Sequence, residues 1–348
     1  MKRNISIYLI ISSCCFLSFS QMYAQGCFPS DKLPSYITPL TDFGQRAEWS
    51  LDGKKIYFID KPGGDVWMID RKTRKASQIS TPEYRPKGHG YYRVVCISNG
   101  DLLLGCGAER HKLYFQVLKK GFKSLPVNIE GEWLDEGPAV SRKSLKIAWT
   151  TPGQTQIYMG EILSTGAEAR ITNKKLLVDN KNVIVDGEKY EDIIESQNWR
   201  PDKEEELIFA QYRRGDGFSS DVFGINVNTG KIIDYSKAPQ TYDEPEGIFP
   251  GGEYTLVESD KHRPSKGTST IEIYKLKLDG TGKSYERLTY FTELKGYRAS
   301  NPVVSDDANY IAFQGSHANS EAGAGCGIYL FDIVKYEKEK NKTMQDKK

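Results

Sequence analysis

Ala47-Glu48-Trp49-Ser50-Leu51-Asp52-Gly53-Lys54-Lys55-Ile56-Tyr57-Phe58 orders the rest of the sequence. An extended run, an Asp-Gly turn and an apolar-rich run make a β-hairpin, because the turn residues must take the positive φ that Asp and Gly tolerate. The unit returns in weakened form at Cys96-Ile97-Ser98-Asn99-Gly100, Val140-Ser141-Arg142-Lys143-Ser144, Trp199-Arg200-Pro201-Asp202-Lys203, Phe249-Pro250-Gly251-Gly252 and Val304-Ser305-Asp306-Asp307. Taking Trp49, Cys96, Val140, Trp199, Phe249 and Val304 as equivalent, the intervals are 47, 44, 59, 50 and 55 residues. That is the spacing of propeller blades.

A third strand is expected after each hairpin, as at 65–70 and 112–118, and in most units a fourth, as at 167–172 and 286–289. The last unit has no fourth strand before the charged tail. The segment 35–41, Ser-Tyr-Ile-Thr-Pro-Leu-Thr, resembles the fourth strands Arg170-Ile171-Thr172 and Arg287-Leu288-Thr289. Pairing it antiparallel with 327–333 closes a ring and removes the edges that an open array exposes. The expectation is an all-β, six-bladed β-propeller closed by an N-terminal strand, one domain over residues 25–335. The tail 336–348 carries Lys and Glu with only Tyr336 and Met344 as large apolar side chains, and is expected to be disordered.

The stretch 47–58, and more loosely the other five units, resembles the PD40, or WD40-like, repeat of TolB-type propellers. The likeness runs over nearly all of the chain after its amino terminus. It implies six blades and says little about activity, since a fold hosts many functions.

At the amino terminus Lys2 and Arg3 precede an apolar run from Ile5 to Phe19, then Ala24 and Gln25. Basic, apolar and small-residue regions in that order read as a secretory signal over residues 1–24. Ile11-Ser12-Ser13-Cys14 admits the alternative of a lipid anchor at Cys14. Either way the protein is expected in the periplasm or cell envelope, and no later segment is apolar enough to span a membrane. The formal charge of +2 comes from Lys2, Arg3 and the lysine-rich tail, so the body is slightly acidic. Nucleic acid is therefore not an expected partner, lacking a concentrated basic face. Cys27, Cys96, Cys106 and Cys326 fall beyond the signal, and their spacing fixes no pairing. A two-residue turn at Asn99-Gly100 sets Cys96 opposite Leu103, so Cys96 and Cys106 are not cross-strand partners.

In a propeller the first strand of each blade lines the channel. Aligning the six units gathers Arg46, Arg93, Asp135, Glu136, Glu195, Asp243, Glu244, Glu246, Arg298 and Asn301 at one mouth. Such residues are either a hydrated charged wall or a binding site. The loops opening on that face hold His111, His262 and His317, with His89 at the entry to the second unit, which makes the four histidines candidate ligands of a divalent metal. Tyr91, Tyr92, Tyr242 and Tyr297 sit at the same entries. Aromatic faces beside arginines and carboxylates suit an acidic oligosaccharide. No nucleophile elbow, HExxH or phosphate loop occurs. The expected function is an exported binding propeller holding a protein partner or an acidic oligosaccharide on its channel face. The alternative is a carbohydrate-active enzyme resembling the oligogalacturonate lyases, propellers in which histidines hold a metal; that resemblance would make Arg93 or Arg298 the partner of a uronate carboxylate.

Overall fold

The computed structural model describes residues 27–165, 167–213, 218–264 and 267–346, so the signal segment and Cys14 lie outside the described residues. Counted by strand topology, six four-stranded units follow one another. Blade one is Gln45–Trp49, Lys55–Ile59, Val66–Asp70 and Ala76–Gln78, blade four begins at Ile194–Trp199, and blade five at Asp243–Ile248. Blades two and three share a strand. Val127–Val140 pairs through Val127 to Leu134 with Lys112–Leu118, and through Asp135 to Val140 with Lys146–Thr150. Blade six takes Tyr297–Val304, Tyr310–His317 and Ile328–Asp332 from one end of the chain and Ile37–Pro39 from the other. Ile37 lies opposite Phe331 in an antiparallel pair, as the strand shortage of the last repeat requires.

The motif's polar residues explain its turns. Ser50 Oγ donates to Asp52 Oδ1 at 2.7 Å and accepts from Lys55 N at 2.9 Å, and Gly53 has φ +64°. Ser305 and Asp307 repeat the arrangement in the last unit. Turn chemistry thereby fixes hairpin register. The shorter predicted turn at Asn99-Gly100 is corrected: Ile97 N donates to Asp101 O, and Cys96 faces Leu102 instead of Leu103.

The apolar interior is divided between neighbours. One cluster packs Tyr57, Ile59 and Val66 of blade one on Tyr91, Val94 and Leu102 of blade two. Equivalent clusters join two to three, three to four, four to five and five to six. The sixth packs Ala47, Trp49 and Ile56 on Ala312 and Ile328, which closes the ring. Trp49 Nε1 also donates to Val303 O across that junction, at 3.0 Å.

Every innermost strand carries a register shift at the same level. The shifts fall between Gln45 and Glu48, Tyr91 and Arg93, Ser196 and Asn198, Pro245 and Gly247, Ser300 and Val303, and at Glu136 in blade three. A β-bulge leaves a residue out of the ladder and re-aims its side chain. Arg46, Glu136 and Asn301 accordingly take left-handed φ of +55°, +56° and +47°.

The expectation of a disordered tail is overturned. Ile333–Gln345 is an α-helix, capped by Asp332, whose side chain accepts from Lys335 N at 2.9 Å. Tyr336 packs its ring 5.1 Å from both Tyr36 and Phe331 and donates to Glu286 Oε1 at 2.8 Å. Lys335 Nζ donates to Ser35 O at 2.7 Å and Lys340 pairs with Glu286, so polar contacts with the body add to the aromatic anchor and the cap. Cys27 and Cys326 form a disulfide, while Cys96 and Cys106 are buried free thiols. Among the described residues no helix is long and apolar enough to cross a membrane.

Candidate functional site

The bulges deliver their charges to one place. Four arginines and six glutamates line a cavity of about 320 Å³ at the end of the channel where the innermost strands begin. Arg46, Arg93, Glu136, Glu195, Glu244, Glu246, Arg298 and Asn301 all reach it, as their alignment in sequence requires. Most of them are buried, Arg298 to within 1% exposure.

One side of the cavity is cationic. Glu136 meets Arg46 Nη2 at 2.9 Å and Arg110 Nη2 at 2.6 Å. Burial alone would raise its carboxyl, but Arg46, Arg110 and Arg93 outweigh burial and hold it down at about 2. The other side is crowded with acids. Glu244 stands directly across the hairpin from Glu258, a pairing of like charges that costs energy if both ionise. Burial first, then Glu244 and Glu246, push the Glu258 carboxyl well above the usual range, and burial with Glu244 and Glu136 does the same to Glu195. Burial raises Glu246 to about 7 despite Arg93. Tyr212 donates to Glu195 Oε2 at 3.1 Å, Tyr242 donates to Glu244, and Asn301 Nδ2 donates to Glu246 Oε1 at 2.7 Å.

Between the two sides lies Arg93. Its Nη2 is 3.9 Å from both Glu195 and Glu246, beyond hydrogen-bonding distance, and no hydrogen bond to its guanidinium is found among the described residues. Burial would lower its pKa, yet Glu246, Glu136 and Glu195 raise it, so it stays a cation. Gly137, in the bulge of blade three, gives it room, since a Cβ there would overlap its Nε.

A loop covers part of the mouth. Arg298 donates to the carbonyls of Thr268, Ser320 and Glu321, at 2.5, 3.0 and 2.9 Å, and Arg110 donates to Ala322 O at 2.6 Å. The disulfide at Cys326 anchors the end of this loop.

Two expected acids do not join the lining. Asp135 Oδ1 meets His111 Nδ1 at 2.8 Å, and Asp243 accepts from Tyr285 OH at 2.8 Å, between blades four and five. The grouping of four histidines is also corrected. His89 meets Tyr114 OH at 3.3 Å, His262 Nε2 meets Thr292 Oγ1 at 2.9 Å, and His317 packs on Tyr297, each within its own blade's loops. Among the described residues only His111, Asp135 and Glu136 bring three ligand atoms together. That set fits a divalent cation poorly, because Glu136 is already held by two guanidinium groups. Tyr91 is wholly buried and donates to Gln116 Oε1 at 2.9 Å, as a packing residue does.

Tyr212 and Glu258 were not singled out from the sequence as channel residues. Glu258 was hidden by the bulge: counting back from the Phe249-Pro250-Gly251-Gly252 turn sets it opposite Pro245, and only the register shift between Pro245 and Gly247 brings it opposite Glu244.

No protein-family model matches the sequence, and no curated protein matches it. Solved structures do. A putative TolB from Agrobacterium tumefaciens is 18% identical over 72% of this chain and 77% of its own, with a TM-score of 0.50. A gluconolactonase from Xanthomonas campestris is 11% identical over 85% and 89%, with a TM-score of 0.52. A chain of the mitotic checkpoint complex is 7% identical over 96% and 99%, with a TM-score of 0.51. At these identities the likeness is one of fold, and the fold is that of a TolB-like β-propeller.

Proposed function

We propose that this chain is an exported binding propeller of the cell envelope, and that the polar mouth of its channel holds an acidic oligosaccharide. The observation that supports this is Arg93, a partly buried cation open to the cavity, held only by ion pairs at 3.9 Å to Glu195 and Glu246 and with no hydrogen bond to its guanidinium among the described residues. Its N–H groups are free to take a closer anionic partner. A carboxylate meets them with two parallel bonds. Tyr212 and Tyr242, whose hydroxyl protons go to Glu195 and Glu244, keep oxygen lone pairs that accept from sugar hydroxyls around it. Titration of the purified chain with short oligouronates tests the reading. Binding is expected, weakened at least about tenfold by Arg93→Met, the loss of one charge-assisted contact. Absence of binding, or equal binding by Arg93→Met and Arg298→Met, overturns it.

A second reading, a carbohydrate-active enzyme, is favoured by one observation: in a single cavity the arginines hold the Glu136 carboxyl low while burial and Glu244 push the Glu195 carboxyl up. Carboxyls driven apart in this way serve as base and acid. New reducing ends after prolonged incubation with the same oligouronates would favour it over binding alone.

A further inference from the structure

The channel has a second mouth, ringed by the hairpin turns of the repeat, and its chemistry differs from that of the first. Val95, Val140, Trp199, Ile248, Val303 and Val304 contribute to a cavity of about 270 Å³ there. The five aliphatic side chains among them pack against the inter-blade clusters and remain partly exposed around one opening. The charges of the rim are already used. Arg142 pairs with Glu48 at 3.1 Å and Asp306 at 2.8 Å, and Lys143 donates to Asp202 O. At the floor stand Arg46, Arg93 and Glu246, which line both cavities. Arg46 is committed to Glu136, and Glu246 is hydrogen-bonded by Asn301. Among the described residues Arg93 has no hydrogen bond to its guanidinium, only the ion pairs at 3.9 Å.

We propose that this mouth is a second binding site, for a small apolar carboxylate. Its aromatic or branched aliphatic body lies against the ring of Val95, Val140, Ile248 and Val303, and its carboxylate reaches Arg93 at the floor. A largely apolar wall with a few convergent polar groups is the usual form of a small-molecule site, and here the other charged groups of the lining have partners of their own. Two parallel N–H bonds from a guanidinium recognise a carboxylate and not an alcohol. Because Arg93 serves both cavities, a ligand at either mouth competes with a ligand at the other for the same guanidinium.

The probe is 4-phenylbutyrate, titrated into the purified chain by calorimetry. Binding is expected with a Kd near or below about 1 mM, and 4-phenylbutanol is expected to bind at least about tenfold more weakly. Val140→Trp fills the throat and should reduce phenylbutyrate binding at least tenfold. Val95→Phe provides the same test should the larger residue unfold the chain, with the melting temperature as the check on folding. Equal binding of acid and alcohol, or binding that both throat variants leave intact, overturns the proposal, as does no binding at all. Oligouronate titration of the throat variants separates this proposal from the reading of the polar mouth. If oligouronates never bind while phenylbutyrate behaves as stated, the second site stands and the reading of the first falls.

Discussion

A buried carboxyl states its cost through its proton. Glu48 and Glu246 are raised to about 7 and Asp243 to about 6, in each case chiefly by burial. In the unfolded chain such groups titrate near about 4. Between those values the folded state holds more protons than the unfolded one, so stability is full below about pH 4 for these groups and is lost as pH rises toward 7. Glu136 acts oppositely: its stabilisation is present above its unfolded value and lost only as pH falls toward about 2. The protein should therefore melt higher at pH 5 than at pH 8, by about 1.5 °C or more, the shift that about 1 kcal/mol gives in a chain of this size. Scanning calorimetry at the two values checks it, and a higher melting temperature at pH 8 counts against the burial argument. Glu246→Gln should shrink the difference, since an amide has no charge to desolvate. Gly137→Ala should displace Arg93 and weaken oligouronate binding with little change in melting temperature. Arg93, Glu136, Glu195 and Glu246 were legible because each precedes the equivalent residue of its repeat by three or four positions. Their protonation states were not, because those depend on distances between blades.

At the scale of elements, the repeat and the closing strand were legible from one motif and one missing strand. The C-terminal helix was not, because composition averages over a segment while a helix is held by a cap and an anchor. Asp332 and Tyr336 supply both. Tyr336→Ala should cost about 2 kcal/mol, below the 3–5 typical of a fully buried aromatic because the ring is half-buried. Chemical denaturation measures this directly, and a change within about 0.5 kcal/mol would mean that the helix is not docked in solution. The cysteine pairing was equally hidden, since no spacing rule links residues 299 apart. Replacing Cys27 and Cys326 together by Ser should cost roughly 2–5 kcal/mol. If the loss is absent, blade six is held by its strand pairing alone.

At the scale of the whole molecule, six inter-blade cores in a ring hold two mouths of unlike chemistry around one shared arginine. The propeller itself is common to proteins as different as a putative TolB, a gluconolactonase and a mitotic checkpoint chain. Sequence reading reached one mouth because charges stand out along a strand; the valines of the other are indistinguishable there from core. Blade six, assembled from both ends of the chain, has a further consequence. The strand Ile37–Pro39 is only three residues long, and when it detaches, Ile328–Asp332 becomes an open edge identical on every copy. The same strand from another molecule fits that edge with the same register, the condition for domain swapping. Cys27 would then meet Cys326 of a different chain, and oxidation would lock the exchange. Refolding at high concentration in an oxidising buffer should thus yield dimers that survive non-reducing electrophoresis and collapse to monomer when reduced.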